Sequence, residues 1–168
     1  SLATIAKQWQ VSLLDAAKKL QPAGAVYHGI FEEDVRTIMK APYSMIGSDG
    51  LPCDPHPHPR LWGTFPRVLG RYCRDENVLV LAQAIHKMTG LSATEFKLNK
   101  RGFIRKGYFA DLVLFDPNTI KDVANFINPV ATSQGVKFVW VNGQFSYENN
   151  AVAATQGAGR FLTHNEIC

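Results

Sequence analysis

The spacing of apolar residues changes character once along this chain, at Arg101-Gly102, and that change constrains the fold more than any single motif. Upstream of it, Leu2, Ile5, Ala6, Trp9, Leu13, Ala16, Ala17 and Leu20 recur at three- and four-residue steps, which predicts an amphipathic helix over 2–20 that ends before Pro22 and Gly24. Ala23–Phe31 is an apolar run of strand length. Glu32, Glu33 and Asp34 then open a second helix through Val35, Ile38 and Met39, where acidic groups favour the positive N-terminal end, and Pro42 stops it. Tyr43–Gly47 reads as a second strand. Strand, helix and strand in about 25 residues is a βαβ signature, implying a parallel sheet with its working groups at the carboxyl ends of strands. Further helices are predicted over 66–74, 78–89 and 92–98, with Thr64 before Pro66 as a helix start and Ser92 and Glu95 spaced as a capping box. Downstream of Arg101, the runs Ala110–Phe115 and Val136–Val141 are β-branched and aromatic. The second meets Asn142-Gly143 before Gln144–Tyr147, a two-residue hairpin signal. The expectation is an α/β fold with a boundary near residue 100.

Hydrophobic residues make up 46% of the 168 positions and charged residues 19%, the composition of a folded chain. Neither part looks self-sufficient, because two βα-type elements do not close a sheet and about three strands seldom make an independent core. The chain therefore reads as a piece of a larger fold. Its apolar runs fall far short of the ~20 residues that cross a bilayer, and Ser1–Gln10 has no charged lead before an apolar stretch, so neither a membrane span nor a signal peptide is expected. Cys53, Cys73 and Cys168 are odd in number with no C-x-x-C spacing, which favours free thiols, a reducing compartment and a cytoplasmic location. Eighteen Lys and Arg against 14 Asp and Glu give a net charge of +4, too scattered to indicate a nucleic-acid partner.

Asp49, in Ser48-Asp49-Gly50, follows an apolar strand-like run in the βαβ context. A carboxylate at that place can orient a metal-bound water, take its proton and deliver it to a leaving amine, although Asp-Gly is also a common turn dipeptide. Residues 51–66 hold Pro52, Pro55, Pro57, Pro59 and Pro66, which predicts a stiff extended loop with neither helix nor central strand. His56 and His58 are two apart in that loop. In polyproline II geometry such side chains are rotated away from each other, so they are not expected to chelate one ion, while His58 can still line a substrate pocket. Arg60, presented by Pro59, offers a planar two-pronged donor suited to a carboxylate. Cys53 lies four residues beyond Asp49 and can be near the same site, but the sequence around it gives no support for a nucleophile. His28 can face a barrel mouth or be structural, and His86 reads as a helix-surface or core residue. No Gly-rich stretch has a nucleotide-binding context.

The run MIGSDGLPCDPHPHPRLWGTFPRVLGRY (45–72), with GFIRKGYFADLVLFDP (102–117), VKFVWVNG (136–143) and GAGRFL (157–162), closely resembles the C-terminal portion of the N-acyl-D-amino-acid deacylases, or D-aminoacylases, of the amidohydrolase superfamily. The resemblance implies a zinc-dependent (β/α)8 barrel beside a small β-domain, with barrel elements over 1–100 and β-domain strands over 101–168. It implies an N-acyl-D-amino acid substrate, cleaved to a carboxylate and a D-amino acid. Asp49 matches the aspartate that activates a zinc-bound water and protonates the departing nitrogen, and it can give zinc one bond. Arg60 matches the arginine that holds the substrate's α-carboxylate. The family's main zinc ligands lie upstream of the region present, so zinc is expected in a complete enzyme and not in this chain alone. Two alternatives stand beside this reading: an amidohydrolase acting on cyclic amides, and a non-catalytic assembly module. Self-association, or pairing with the missing N-terminal part, would cover its open edges.

Overall fold

Helices occupy the first part of the chain and strands the last. The computed structural model describes residues 1–27, 29–148, 151–152 and 157–162; His28 and Cys168, weighed above, lie outside them. The chain divides into two compact units, Ser1–Glu32 and Glu33–Cys168.

The first unit is a pair of helices, α1 (Leu2–Trp9) and α2 (Leu13–Leu20), instead of the single helix expected over 2–20. The apolar period runs through both, but Ser12 breaks it. Its Oγ accepts from the Asp15 amide at 3.1 Å and donates to the Asp15 carboxylate at 2.6 Å, capping a new helix, while Gln10 turns left-handed to end the old one. The small side chains of Ala6 and Ala16 are the buried ones.

In the second unit, α3 (Glu32–Lys40) is followed by a long irregular segment to α4 (Arg60–Arg67), which continues as a π-type helical stretch, Val68–Asp75. Helices α5 (Leu81–Met88) and α6 (Gly90–Glu95) come next. Strands β1 (Leu112–Phe115), β2 (Val136–Val141), β3 (Gln144–Glu148) and β4 (Ala151–Val152) form one antiparallel sheet in chain order. Asn142 and Gly143, both with positive φ, make the predicted hairpin turn between β2 and β3. Phe138, Trp140 and Phe145 cluster across it with ring centroids 5.6–5.8 Å apart.

Helices and strands share one core. Met39, Val68, Leu69, Tyr72, Cys73, Leu79, Ala84 and Ile120 are buried together, and Phe115 and Val136 of the sheet pack against them. Burial pushes the Cys73 thiol up, so that cysteine is a packing residue. Ile120, 1% exposed, passes between two glycines: a Cβ on Gly70 would run into its carbonyl oxygen, and one on Gly135 would come within 2.6 Å of its amide nitrogen. Outside the core, Glu76 accepts from Arg71 at 2.6 Å and Arg36 at 3.0 Å, tying α3 to the π-type stretch.

The expected strands 23–31 and 43–47 are absent among the described residues, and with them the parallel βαβ pairing. A strand needs a ladder, and the backbone around 41–46 is committed elsewhere. Lys87, 5% exposed, donates from Nζ to the carbonyls of Ala41 and Ser44 and to the Ser44 hydroxyl, while the Ile46 amide reaches the Lys87 carbonyl at 3.4 Å. The proline-rich loop is also shorter than expected, since α4 starts at Arg60 with Pro66 inside it. A proline there leaves the Trp62 carbonyl without its helical donor. Ser133 Oγ donates to that carbonyl at 2.9 Å, and the helix widens to π-type just beyond. Ser92 caps nothing; it donates to the Lys87 carbonyl, and α6 begins at Gly90. Among the described residues no helix is long and apolar enough to cross a membrane.

Candidate active site

Asp49 and Arg60, eleven positions apart, meet in space. Arg60 Nη2 lies 2.7 Å from Asp49 Oδ2, and Arg60 Nε donates to the Asp49 carbonyl at 2.9 Å. The local chain explains how. Ser48 Oγ accepts from the Gly50 amide at 3.2 Å, closing a tight turn, and Asp49 takes a left-handed φ of 48°, a conformation that a short polar side chain tolerates. Gly50 then lies directly on the first turn of α4. A Cβ at Gly50 would come within 2.8 Å of Leu61 Cα, so the close approach that delivers Asp49 to Arg60 needs a glycine.

Both side chains remain open to solvent, at 78% exposure for Asp49 and 40% for Arg60. An ion pair this exposed contributes at most about 1 kcal/mol to stability, so the arrangement is better understood through its chemistry. Asp49 uses the Nε–Nη2 edge of the guanidinium. The end-on edge, Nη1 with Nη2, is the one that a second carboxylate can take in two parallel hydrogen bonds.

His56 and His58 both reach the segment around Phe126. The Arg60 amide donates to His58 Nδ1 at 3.1 Å, which satisfies the first amide of a helix whose N-cap residue, Pro59, offers no side-chain acceptor. His56 Nε2 donates to the Phe126 carbonyl at 3.0 Å, and the His58 ring meets the Phe126 ring edge-on at a centroid distance of 5.0 Å. Nothing in the sequence analysis singles out Phe126. It sits in a compact turn in which Asn125 Oδ1 accepts from the Ile127 and Asn128 amides, each at 2.9 Å; the Asn-x-x-Asn-Pro pattern was the available signal. Arg67 pairs with Asp122 at 2.8 Å and so fixes the same segment along α4. Cys53 is exposed, and His86 is exposed on α5, far along the chain from these contacts.

Among the described residues no three His, Cys, Asp or Glu side chains gather into a group that could hold a metal ion. The donors present therefore do not by themselves make a zinc centre, which normally takes three protein ligands plus water. What the site does combine is a carboxylate able to move a proton and a guanidinium able to bind an anion.

Residues 5–147, most of the chain, match the profile of the amidohydrolase family. The chain belongs to that family. Among its relatives in the family is an N-acyl-D-aspartate deacylase of Alcaligenes xylosoxydans xylosoxydans, 50% identical over 139 residues, which are 83% of this chain and 28% of that protein. A D-aminoacylase of the same organism is 51% identical over 151 residues, 90% of this chain and 31% of that one. The amidohydrolase chain thus spans about 30% of the length of these curated relatives. Solved structures agree. An N-acyl-D-glutamate deacylase from Bordetella bronchiseptica, crystallised with zinc and a phosphonate inhibitor that mimics the tetrahedral intermediate, superposes with a TM-score of 0.83 at 46% identity, covering 87% of this chain and 31% of that chain. A crystal structure of a D-aminoacylase gives 0.85 at 48% identity, covering 92% of this chain and 32% of that chain. Amidohydrolase architecture is therefore established for this chain.

Proposed function

We propose that this chain carries the carboxylate anchor and the acid–base group of a hydrolase that converts N-acyl-D-amino acids to a carboxylate and a D-amino acid. The observation that carries this reading is the pairing of Arg60 with Asp49 at 2.7 Å. The deacylase names of its relatives support it. Residues 1–100 then supply the last elements of a (β/α)8 barrel and residues 101–168 the strands of the small β-domain, and Cys53 and Cys73, both free thiols, fit a reducing, cytoplasmic setting. Zinc belongs to the reading for a polypeptide of the relatives' length, supported by the zinc in the Bordetella structure. Beyond the one bond that Asp49 can give, its ligands would come from outside the described residues.

Arg60 binds the α-carboxylate through its end-on edge and fixes the amide relative to Asp49. Asp49 accepts a proton as water adds to the acyl carbon. It returns that proton to the nitrogen as the C–N bond breaks, so water is divided between the two products.

The test separates charge from fork in a polypeptide of the relatives' length that carries this sequence. Arg60→Lys keeps the charge and loses the paired hydrogen bonds, and Arg60→Ala loses both. Charge-assisted hydrogen bonds contribute roughly 1.5–3 kcal/mol each, so kcat/KM should fall about tenfold or more for lysine and further for alanine. An acyl-D-amino acid amide, which has no carboxylate, should be a poor substrate whose rate Arg60→Ala barely changes. Equal slowing of acid and amide would reduce Arg60 to a loop residue.

A further inference from the structure

The stiff loop before α4 does not hold Arg60 unaided. Its two histidines are each committed to a partner, and both lead to one place about seventy residues downstream: His56 Nε2 donates to the Phe126 carbonyl at 3.0 Å, and the His58 ring rests edge-on against the Phe126 ring at 5.0 Å. His58 in turn accepts the Arg60 amide on Nδ1. An acceptor at Nδ1 requires the proton of the neutral ring to sit on Nε2, so the contact also selects one tautomer. Behind Phe126, the Asn125 turn is braced on α4 through Arg67 and Asp122 at 2.8 Å, and Ser133 returns to the Trp62 carbonyl of the same helix at 2.9 Å.

We infer that His56, His58 and Phe126 form a positioning clamp for Arg60, so that the segment 122–133 determines how well the site grips a substrate carboxylate. The inference rests on the reading of Arg60 as the carboxylate anchor. A guanidinium forks two parallel hydrogen bonds only while its direction is fixed, and Arg60 is the first residue of its helix, where chains fray most readily. His58 holds the backbone at that residue. His56 and Phe126 hold His58 and the loop. None of the three is asked to touch the reacting atoms.

The experiment again uses a polypeptide of the relatives' length. His56→Ala, His58→Ala and Phe126→Ala should each raise KM for the acyl-D-amino acid about 2–12-fold, the loss of one ordinary interaction, with kcat nearly unchanged and the amide substrate unaffected. Asparagine can place its side-chain oxygen near where Nδ1 lies, and glutamine its amide near Nε2, so His58→Asn and His56→Gln should recover most of the loss. With Arg60→Ala as background, the clamp substitutions should no longer change the acid-to-amide ratio. If Arg60→Ala discriminates acid from amide while the clamp variants slow both alike, the clamp is wrong and the anchor stands. If Arg60→Ala does not discriminate, the anchor reading fails first and takes the clamp with it. Failure of His58→Asn to improve on His58→Ala would overturn the role given to Nδ1.

Discussion

Asp49 bears two demands at once, a left-handed backbone and a titratable oxygen beside Arg60. Asparagine satisfies the first, since it adopts that backbone region at least as readily, and it cannot satisfy the second. Asp49→Asn should therefore leave the fold intact and, on the proposed function, lower kcat by the ~10²–10⁴ of a general acid–base group; a near-normal kcat in a polypeptide of the relatives' length carrying the change would leave Asp49 a turn residue only. Glu76 offers a different residue-scale check. The Arg71 guanidinium hydrogen-bonded to it, aided by Arg36, holds its carboxyl below the ordinary value of 4.5. A carboxyl whose folded pKa is depressed contributes stability above that ordinary value and loses it as pH falls through the lower folded value. Glu76→Gln should thus be less stable than wild type at neutral pH, and urea midpoints of the two should converge below pH 4.5. A gap independent of pH would mean that the arginines hold Glu76 through packing and not through charge.

At the scale of elements, α4 and the π-type stretch behind it are set by what lies against them. Intrinsic propensity says that replacing a glycine inside a helix by alanine gains up to about 1 kcal/mol. Gly70 should break that rule, because its Cβ would collide with the carbonyl oxygen of Ile120, a residue whose Cα and amide nitrogen are themselves packed close against Gly135. The clash cannot be relieved by a rotamer. Gly70→Ala is expected to destabilise by about 1–3 kcal/mol, the usual cost of forcing atoms into a filled core, and thermal melting decides the sign. A stabilised variant would show that Ile120 has room to shift. Pro66 is a parallel case, tolerated in α4 because Ser133 supplies the donor it lacks.

The whole molecule keeps a great deal of apolar surface in contact with water. Val113 and Leu114 of β1 are 57% and 51% exposed, and among the described residues β1 has a neighbour strand on one side only. The relatives are about three times as long as the portion matched here. Metal binding should follow the same logic, because Asp49 has no second and third ligand beside it among the described residues. Dialysed against zinc, the 168-residue chain should return no stoichiometric metal by elemental analysis. One zinc per chain, abolished by Asp49→Asn, would overturn that expectation.

The hairpin was legible in the sequence, and so were the candidate residues of the proposed site. Ser48-Asp49-Gly50, the arginine after Pro59 and the Asn142-Gly143 turn are local patterns, and local sterics and hydrogen bonds suffice to specify them. Period also located the helices, though Ser12 divided the first and Lys87 took the Ser44 carbonyl that a strand at 43–47 would have needed. The remaining features depend on contacts between segments far apart in the chain. That Asp49 touches Arg60 depends on Gly50 lying against Leu61, and that His56 and His58 brace Arg60 depends on Phe126, seventy positions away from the first of them. Contacts of that kind leave no period or motif, because what selects them is the fit of two distant surfaces, and neither partner's own sequence encodes the other's position.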